Sequence, residues 1–312
     1  MKLAMVFPGQ GSQAIGMMNG WGDHPVVRAT FDEASDVLGQ DLWALVADGP
    51  ADALNLTTNT QPVMLTAGVA AWRAWNAAGG LLPVLVAGHS LGEYTALVAA
   101  GALAFRDAVP LVRFRAQAMQ DAVPAGVGAM AAIMGAPDDD AIIAACAEAA
   151  QGQVVEAVNF NAPGQLVIAG HREAVERAMA LAKTRGAKRG VILPVSAPFH
   201  SSLLRPAAEH LAARLAEVAI NVPAIPVLHN VDVLTHAAPE EIRRALAQQA
   251  AHPVRWTATM QAFGAQGITH VVECGPGKVL AGLAKRSVES VQAYSLTDGE
   301  ALAATLSELA AA

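Results

Sequence analysis

Short apolar runs that stop at glycine or proline alternate along the chain with longer stretches of helical apolar spacing. That is the rhythm of a mainly parallel sheet with crossover helices. Leu3 to Phe7, Val84 to Gly88, Val227 to His229, Thr269 to Glu273 and Val291 to Tyr294 are the predicted strands. Gln61 to Ala78, with Pro62 in its first turn, Phe105 to Ala122 and Glu240 to Gln249 are predicted helices. The fold class that follows is α/β.

The middle of the chain has a different order: strand (Ala129 to Met134), helix (Asp138 to Gln151), strand (Val154 to Asn159), a turn at Pro163-Gly164, strand (Gln165 to Ala169), helix (Arg172 to Arg185) and strand (Lys188 to Leu193). This βαββαβ series is the ferredoxin-like unit. Pro124-Ala125-Gly126 precedes it and the segment from Pro194 to Pro198 follows it, so the chain changes direction on both sides. The expected organisation is a discontinuous, hydrolase-like large domain with a central mainly parallel sheet (residues 1–123 and 196–312) and an inserted ferredoxin-like small domain (residues 124–195). A ligand is expected in the cleft between them.

Composition removes several functions. With 54% hydrophobic and 15% charged residues, the chain can bury a large core and is not a disordered protein. Aromatics are only 4%, too few to favour a stacking platform for single-stranded nucleic acid. Twenty Lys and Arg against 27 Asp and Glu give a net charge of −7, which repels polyanions, so nucleic acid is not an expected partner and any phosphate must be met locally. Cys146 and Cys274 are the 2 cysteines and have no paired spacing, which excludes a disulfide framework or a thiolate zinc cluster. The start of the chain reaches Pro8 and Gly9 too soon for a signal peptide's apolar region, and the uncharged stretch from Ala122 to Pro137 is broken by proline and glycine. A soluble cytoplasmic protein without membrane attachment is expected.

The most informative segment is Val84-Leu85-Val86-Ala87-Gly88-His89-Ser90-Leu91-Gly92-Glu93-Tyr94. A buried strand runs into G-x-S-x-G and a helical run follows, the context a nucleophile elbow requires. The turn puts Ser90 at a helix N-terminus, where backbone donors favour an oxyanion. A serine there can also simply cap the helix, but the strand-turn-helix context favours the nucleophile. His89 is expected to point away from the attacking face and to pack or position.

The base must come from elsewhere among the 9 histidines. His200 stands out in Pro194-Val195-Ser196-Ala197-Pro198-Phe199-His200-Ser201-Ser202, a rigid segment leaving the last strand of the small domain. Spacing by itself leaves it open whether His200 is a base or a structural histidine. Between Ser90 and His200 no acidic residue occupies an evident strand-end loop, so a dyad oriented by a main-chain carbonyl is an alternative to a triad.

Five segments in order, Phe7-Pro8-Gly9-Gln10-Gly11-Ser12-Gln13, Gly88 to Tyr94, Asn159-Phe160-Asn161-Ala162-Pro163-Gly164-Gln165, Pro198-Phe199-His200-Ser201 and Glu273-Cys274-Gly275-Pro276-Gly277-Lys278, resemble malonyl-CoA:acyl carrier protein transacylases. The resemblance runs from residue 1 to about residue 290. It implies Ser90 as the acylated nucleophile, His200 as its base, the main-chain carbonyl of Gln249 as the group orienting His200, and the N–H groups of Gln10 and Leu91 as the oxyanion hole. Arg115 falls where the family holds the malonyl carboxylate, and an arginine's bidentate fork suits that task. Without the family, a surface ion pair would be the commoner fate of such an arginine. Gln61, Met119, Asn159, Asn161 and Phe199 are implied as further substrate-binding residues.

Phe199, directly before His200, is similar to the residue at that place in malonyl-selective acyltransferase domains of polyketide synthases. A phenyl ring there would crowd an α-methyl branch and favour malonyl over methylmalonyl. Neither Pro8-Gly9-Gln10-Gly11-Ser12 nor Gly275-Pro276-Gly277-Lys278-Val279 fits a phosphate-binding loop, and no G-x-G-x-x-G follows the first strand.

The implied reaction is ping-pong transfer of malonyl from malonyl-CoA to the phosphopantetheine thiol of acyl carrier protein through a Ser90 ester. It serves fatty acid biosynthesis and uses no metal or cofactor, since the CoA and phosphopantetheine thioesters are substrates. Carrier proteins are acidic, so docking on this acidic chain requires local basic clusters: Lys183, Arg185, Lys188 and Arg189 in the small domain, and Lys278, Lys285 and Arg286 in the large one. A monomer is expected. The alternatives are a polyketide or malonate-decarboxylase malonyltransferase, a serine thioesterase or esterase using the same elbow, and a non-catalytic carrier-protein scaffold. The Ser-Asp dyad of patatin-like lipases does not fit, because Asp298 precedes Gly299-Glu300 and Asp48 precedes Gly49-Pro50.

Overall fold

All five residues of the first strand, β1 (Leu3–Phe7), are buried, so this strand is covered on both faces. In the computed structural model, which describes residues 1–311, it is followed by β2 (Leu85–Gly88), β3 (Gly128–Met134), β4 (Val155–Ala162), β5 (Gln165–His171), β6 (Arg189–Ile192), β7 (Val227–Leu228), β8 (His270–Cys274) and β9 (Gln292–Leu296). Each lies within a few residues of its predicted position.

Two sheets result. One has five strands in the order β7-β2-β1-β8-β9, and every neighbouring pair is parallel. The other has four strands in the order β4-β5-β3-β6 and is antiparallel throughout. That is the strand order of a ferredoxin-like unit, with the helices Asp139–Ala150 and Arg172–Thr184 supplying its α elements. Ile133, Ile142, Leu166, Ile168 and Val175 form the core between that sheet and its helices.

Register places the chemistry. β1 and β2 pair so that Phe7 stands beside Gly88, and the loops leaving both strands emerge at the same sheet edge, where open α/β sheets bind ligands. β7 joins the other side of β2, pairing Ala87 with Leu228, and delivers His229 and Asn230 to the same edge.

Two elements differ from expectation. The helix read as starting at Gln61 runs from Thr57 to Ala77, so Pro62 lies inside it and not in its first turn. Proline offers no N–H to the carbonyl four residues back, here that of Thr58, and Arg113 Nε donates to this carbonyl at 3.3 Å instead. Strand β4 continues past Asn159 to Ala162 because its far end gains a second partner. Val254 N donates to Val158 O at 2.8 Å and Phe160 N donates to Val254 O at 3.0 Å. Two register shifts interrupt its pairing with β5, between Ala157 and Asn159 and between Phe160 and Ala162.

Candidate active site

The elbow forms because only glycine fits beside its serine. A methyl group on Gly88 would overlap the Gly92 carbonyl, and one on Gly92 would overlap the Phe7 carbonyl oxygen. This close approach pins the helix Gly92–Ala99 against the ends of β1 and β2. Ser90 then takes φ 53°, left-handed backbone that L-residues avoid, at a cost on the order of 1–3 kcal/mol. Asn230 stabilises the turn from below. Its Oδ1 accepts from Ser90 N at 2.8 Å and its Nδ2 donates to Gly88 O at 2.7 Å.

Ser90 Oγ lies 2.7 Å from Nε2 of His200, which also has left-handed backbone with φ 65°. His200 Nδ1 lies 2.8 Å from the main-chain oxygen of Gln249. A carbonyl only accepts, so Nδ1 carries the proton, and Nε2 of the neutral ring is free to accept from the serine hydroxyl. Burial first, and then the Arg115 cation, push the His200 pKa down from 6.5 to about 3, against the opposing Gln249 hydrogen bond. The imidazole is therefore a neutral acceptor at physiological pH.

Arg115 is 2% exposed. Its Nη2 donates to Ser90 Oγ at 3.2 Å and to Gln249 Oε1 at 2.9 Å, while Nη1 donates to Gln61 Oε1 at 2.7 Å. Burial lowers its pKa, yet a guanidinium remains charged at neutral pH. Its carbon Cζ stands 5.4 Å from the centre of the Tyr94 ring, and the Tyr94 phenol, pushed up to about 12 chiefly by burial, stays protonated. No carboxylate bonds this cation directly among the described residues, so an anionic ligand has a partner waiting.

Ser90, His200 and Arg115 line a cleft of about 100 Å³ together with Gln10, Gln61, Leu91, Met119, Asn159 and Phe199, all expected from the sequence, and with His89, Met130, Leu193 and Val195. Among the described residues, the backbone N–H groups of Gln10 and Leu91 have no hydrogen-bond partner. The Gly9-Gln10 turn presses on the elbow so closely that a Cβ on Gly9 would stand 2.5 Å from His89 O. Two unpaired donors beside a half-buried nucleophile are the arrangement an oxyanion requires.

Asn161 is not brought into the cleft lining. It is the extra residue at the second irregularity of β4, and its Oδ1 is engaged by His89 Nε2 at 2.8 Å. His89, expected to face away, does border the cleft, with its ring 5.4 Å from that of Trp256. Its Nε2 is engaged by Asn161 Oδ1 and does not reach Ser90 Oγ. Of the basic side chains expected at a docking face, Lys183, Lys188 and Arg189 border one surface hollow of the small domain. Lys183, Lys188, Arg189, Lys278, Lys285 and Arg286 are exposed, whereas Arg185 is paired with Glu148 at 2.5 Å. Met130, Leu193 and Val195 lie in or beside strands of the small sheet, and Asn230 follows the two-residue strand β7. Nothing in their local sequence marks them as cleft residues; Glu93, by contrast, stands inside the elbow motif itself.

Among the described residues, no group of three or more His, Cys, Asp or Glu side chains is placed to hold a metal ion. No helix is long and apolar enough to cross a membrane.

A strained serine on an elbow, a neutral histidine and two free backbone donors define an acyl-transferring site. Residues 4–305 match the acyl transferase domain family. The malonyl CoA-acyl carrier protein transacylase of Escherichia coli strain K12 is 54% identical over 306 residues, 98% of this chain and 99% of that protein. A crystal structure of an acyl-carrier-protein S-malonyltransferase from Burkholderia pseudomallei 1710b superposes with a TM-score of 0.96 at 62% identity, covering 98% of this chain and 100% of that one. A malonyl-transacylase solved with its type II polyketide synthase acyl-carrier protein superposes with a TM-score of 0.97 at 51% identity, covering 99% and 100%. The chain belongs to the malonyl-CoA:acyl carrier protein transacylase family of acyl transferases.

Proposed function

We propose that this chain transfers the malonyl group from malonyl-CoA to the phosphopantetheine thiol of an acyl carrier protein, for fatty acid biosynthesis, by a ping-pong route through a malonyl-Ser90 ester. The observation that carries the reading is the convergence on one oxygen: Ser90 Oγ is 2.7 Å from His200 Nε2 and 3.2 Å from Arg115 Nη2.

His200 Nε2 takes the hydroxyl proton as Ser90 Oγ attacks the thioester carbonyl carbon. The Gln10 and Leu91 N–H groups receive the oxyanion. The C–S bond breaks, and Nε2 gives its proton to the departing sulfur, so that CoA leaves as the thiol and His200 is neutral again. The main-chain oxygen of Gln249 fixes the imidazole throughout. In the second half the carrier thiol gives its proton to His200 and attacks the ester, and Ser90 Oγ recovers the proton as it leaves. Arg115 pairs with the malonyl carboxylate in both halves, with Gln61 holding its other nitrogen and Met119, Asn159 and Phe199 shaping the acyl space.

In this reading, residues 1–123 and 196–312 form one catalytic unit and residues 124–195 an inserted unit whose β4 and β6 ends wall the cleft. The protein works as a monomer in the cytoplasm with no metal or cofactor, and the exposed basic groups around Lys285 and Arg286 meet the acidic carrier. Incubation with malonyl-CoA, with and without holo acyl carrier protein, tests the reading. Malonyl should accumulate on the carrier as free CoA appears. CoA release that proceeds equally without carrier and yields free malonate would instead indicate an esterase or thioesterase.

A further inference from the structure

Glu93 opens the helix behind the nucleophile, and it is fully buried along with His229, Asn230 and Gln249. A buried carboxyl group is costly unless its oxygens are well bonded. Here Oε1 accepts from His229 Nδ1 at 2.7 Å, while Oε2 accepts from Asn230 N at 3.0 Å and from Gln249 Nε2 at 2.9 Å.

Two of those donors lead back to reacting groups. Asn230 carries the Ser90 N–H on its side-chain oxygen. Gln249 does more. Its main-chain oxygen accepts from His200, its Oε1 accepts from Arg115 Nη2, and its Nε2 donates to both Glu93 Oε2 and Ser90 O, each at 2.9 Å. The amide's orientation is therefore set by its partners: the NH₂ end is held by two acceptors, and only then does the oxygen face the guanidinium. Turned over, it would set NH₂ against a guanidinium N–H, two donors facing each other.

We propose that Glu93 is a positioning residue that, through the side chain of Gln249, keeps Arg115 aimed at the acyl group while Asn230 holds the elbow. The inference rests on the reading of Arg115 as the partner of the malonyl carboxylate. Its consequence is specific: loosening Glu93 erodes the preference for an acyl group bearing a carboxylate over one lacking it, and does not merely lower the amount of folded enzyme.

The test compares single-turnover acylation by malonyl-CoA and acetyl-CoA in wild type, Glu93→Ala and Glu93→Gln. Glu93→Ala removes every acceptor and should lower the malonyl to acetyl ratio of kcat/KM by about tenfold, the scale of losing one hydrogen bond to a charged group. Glu93→Gln should restore most of that ratio. His229 Nε2 has no partner among the described residues, so its ring can exchange tautomers and accept at Nδ1 from the new amide, leaving the amide oxygen for Asn230 and Gln249. Gln249→Met, which keeps the main-chain carbonyl for His200 and removes the side-chain amide, should lose the ratio as Glu93→Ala does, and it carries the test if Glu93→Ala does not fold. An unchanged ratio in Glu93→Ala or Gln249→Met, or a Glu93→Gln variant as unselective as Glu93→Ala, overturns the inference. Wild-type enzyme with no preference for malonyl would overturn the functional reading itself.

Discussion

Ser90 and His200 meet at 2.7 Å, Oγ to Nε2, and each holds a left-handed backbone, φ 53° and φ 65°. Two strained non-glycine residues facing each other indicate that the surrounding packing, and not local preference, fixes the contact. The glycine-bound elbow supplies that packing on one side. The proline-framed segment before His200 supplies it on the other.

The protonation of His200 gives a pH signature. Its pKa is lowered from 6.5 to about 3, mainly by burial, so the base form persists as the solution becomes acidic. Single-turnover acylation of Ser90 should therefore hold nearly constant from pH 8 down to about pH 5, where an ordinary histidine would already be mostly protonated. The same shift contributes stability that is fully present above pH 6.5 and is lost as pH falls toward 3. A rate limb centred near 6.5 in stopped-flow or quenched-flow acylation would contradict this.

Arg115 has no direct carboxylate partner in the resting site, so its substitution should cost substrate and not fold. Arg115→Ala should reduce kcat/KM for malonyl-CoA by about 100-fold or more while changing that for acetyl-CoA by less than about fivefold. Arg115→Lys keeps the charge but not the planar fork and should fall between the two. Steady-state kinetics with both thioesters, alongside thermal melts, check the outcome; an equal loss on both substrates would place Arg115 outside acyl recognition.

Phe199 borders the cleft immediately before the base. If its ring crowds an α-methyl branch, Phe199→Ser should shift the malonyl to methylmalonyl ratio of kcat/KM toward methylmalonyl by about tenfold, the usual worth of one methyl in a pocket. Competition between the two thioesters measures this, and an unchanged ratio would reduce Phe199 to packing.

Lys285 and Arg286 are exposed near the C-terminal end of their helix. Lys285→Glu with Arg286→Glu should raise KM for the carrier protein several-fold, more so at low salt, and leave KM for malonyl-CoA unchanged. Titrations of each substrate at two ionic strengths decide it. Equal effects on both substrates would place carrier docking elsewhere.

The elbow was legible because its steric requirement falls on two glycines at fixed spacing in one short segment: a methyl on either overlaps backbone. The ferredoxin-like order was legible for a similar reason, since its turns and apolar periods are contiguous in sequence. His200 was only half legible from its residues. Proline neighbours marked a rigid loop, but its partner, the Gln249 carbonyl, is a main-chain atom that every residue possesses. Asn161 was expected in the cleft from the family resemblance; the irregularity in β4, which leaves it as the extra residue between Phe160 and Ala162, is not visible in the sequence. The start of the Thr57–Ala77 helix was missed because Pro62 reads as a beginning, and the group satisfying the carbonyl it leaves free, Arg113, comes from another helix. The network of Glu93, Asn230 and Gln249 joins residues more than 130 positions apart, a spacing that no local pattern records.

Intact-protein mass spectrometry after brief mixing with malonyl-CoA, before any carrier protein is added, separates the ester route from every other. Wild-type protein should gain the mass of one malonyl group, located by peptide mapping at Ser90. The adduct should disappear when holo carrier protein is added and should never form in Ser90→Ala. Wild-type protein that transfers malonyl to the carrier without ever carrying the adduct, or a Ser90→Ala variant that still becomes labelled, would contradict the covalent mechanism.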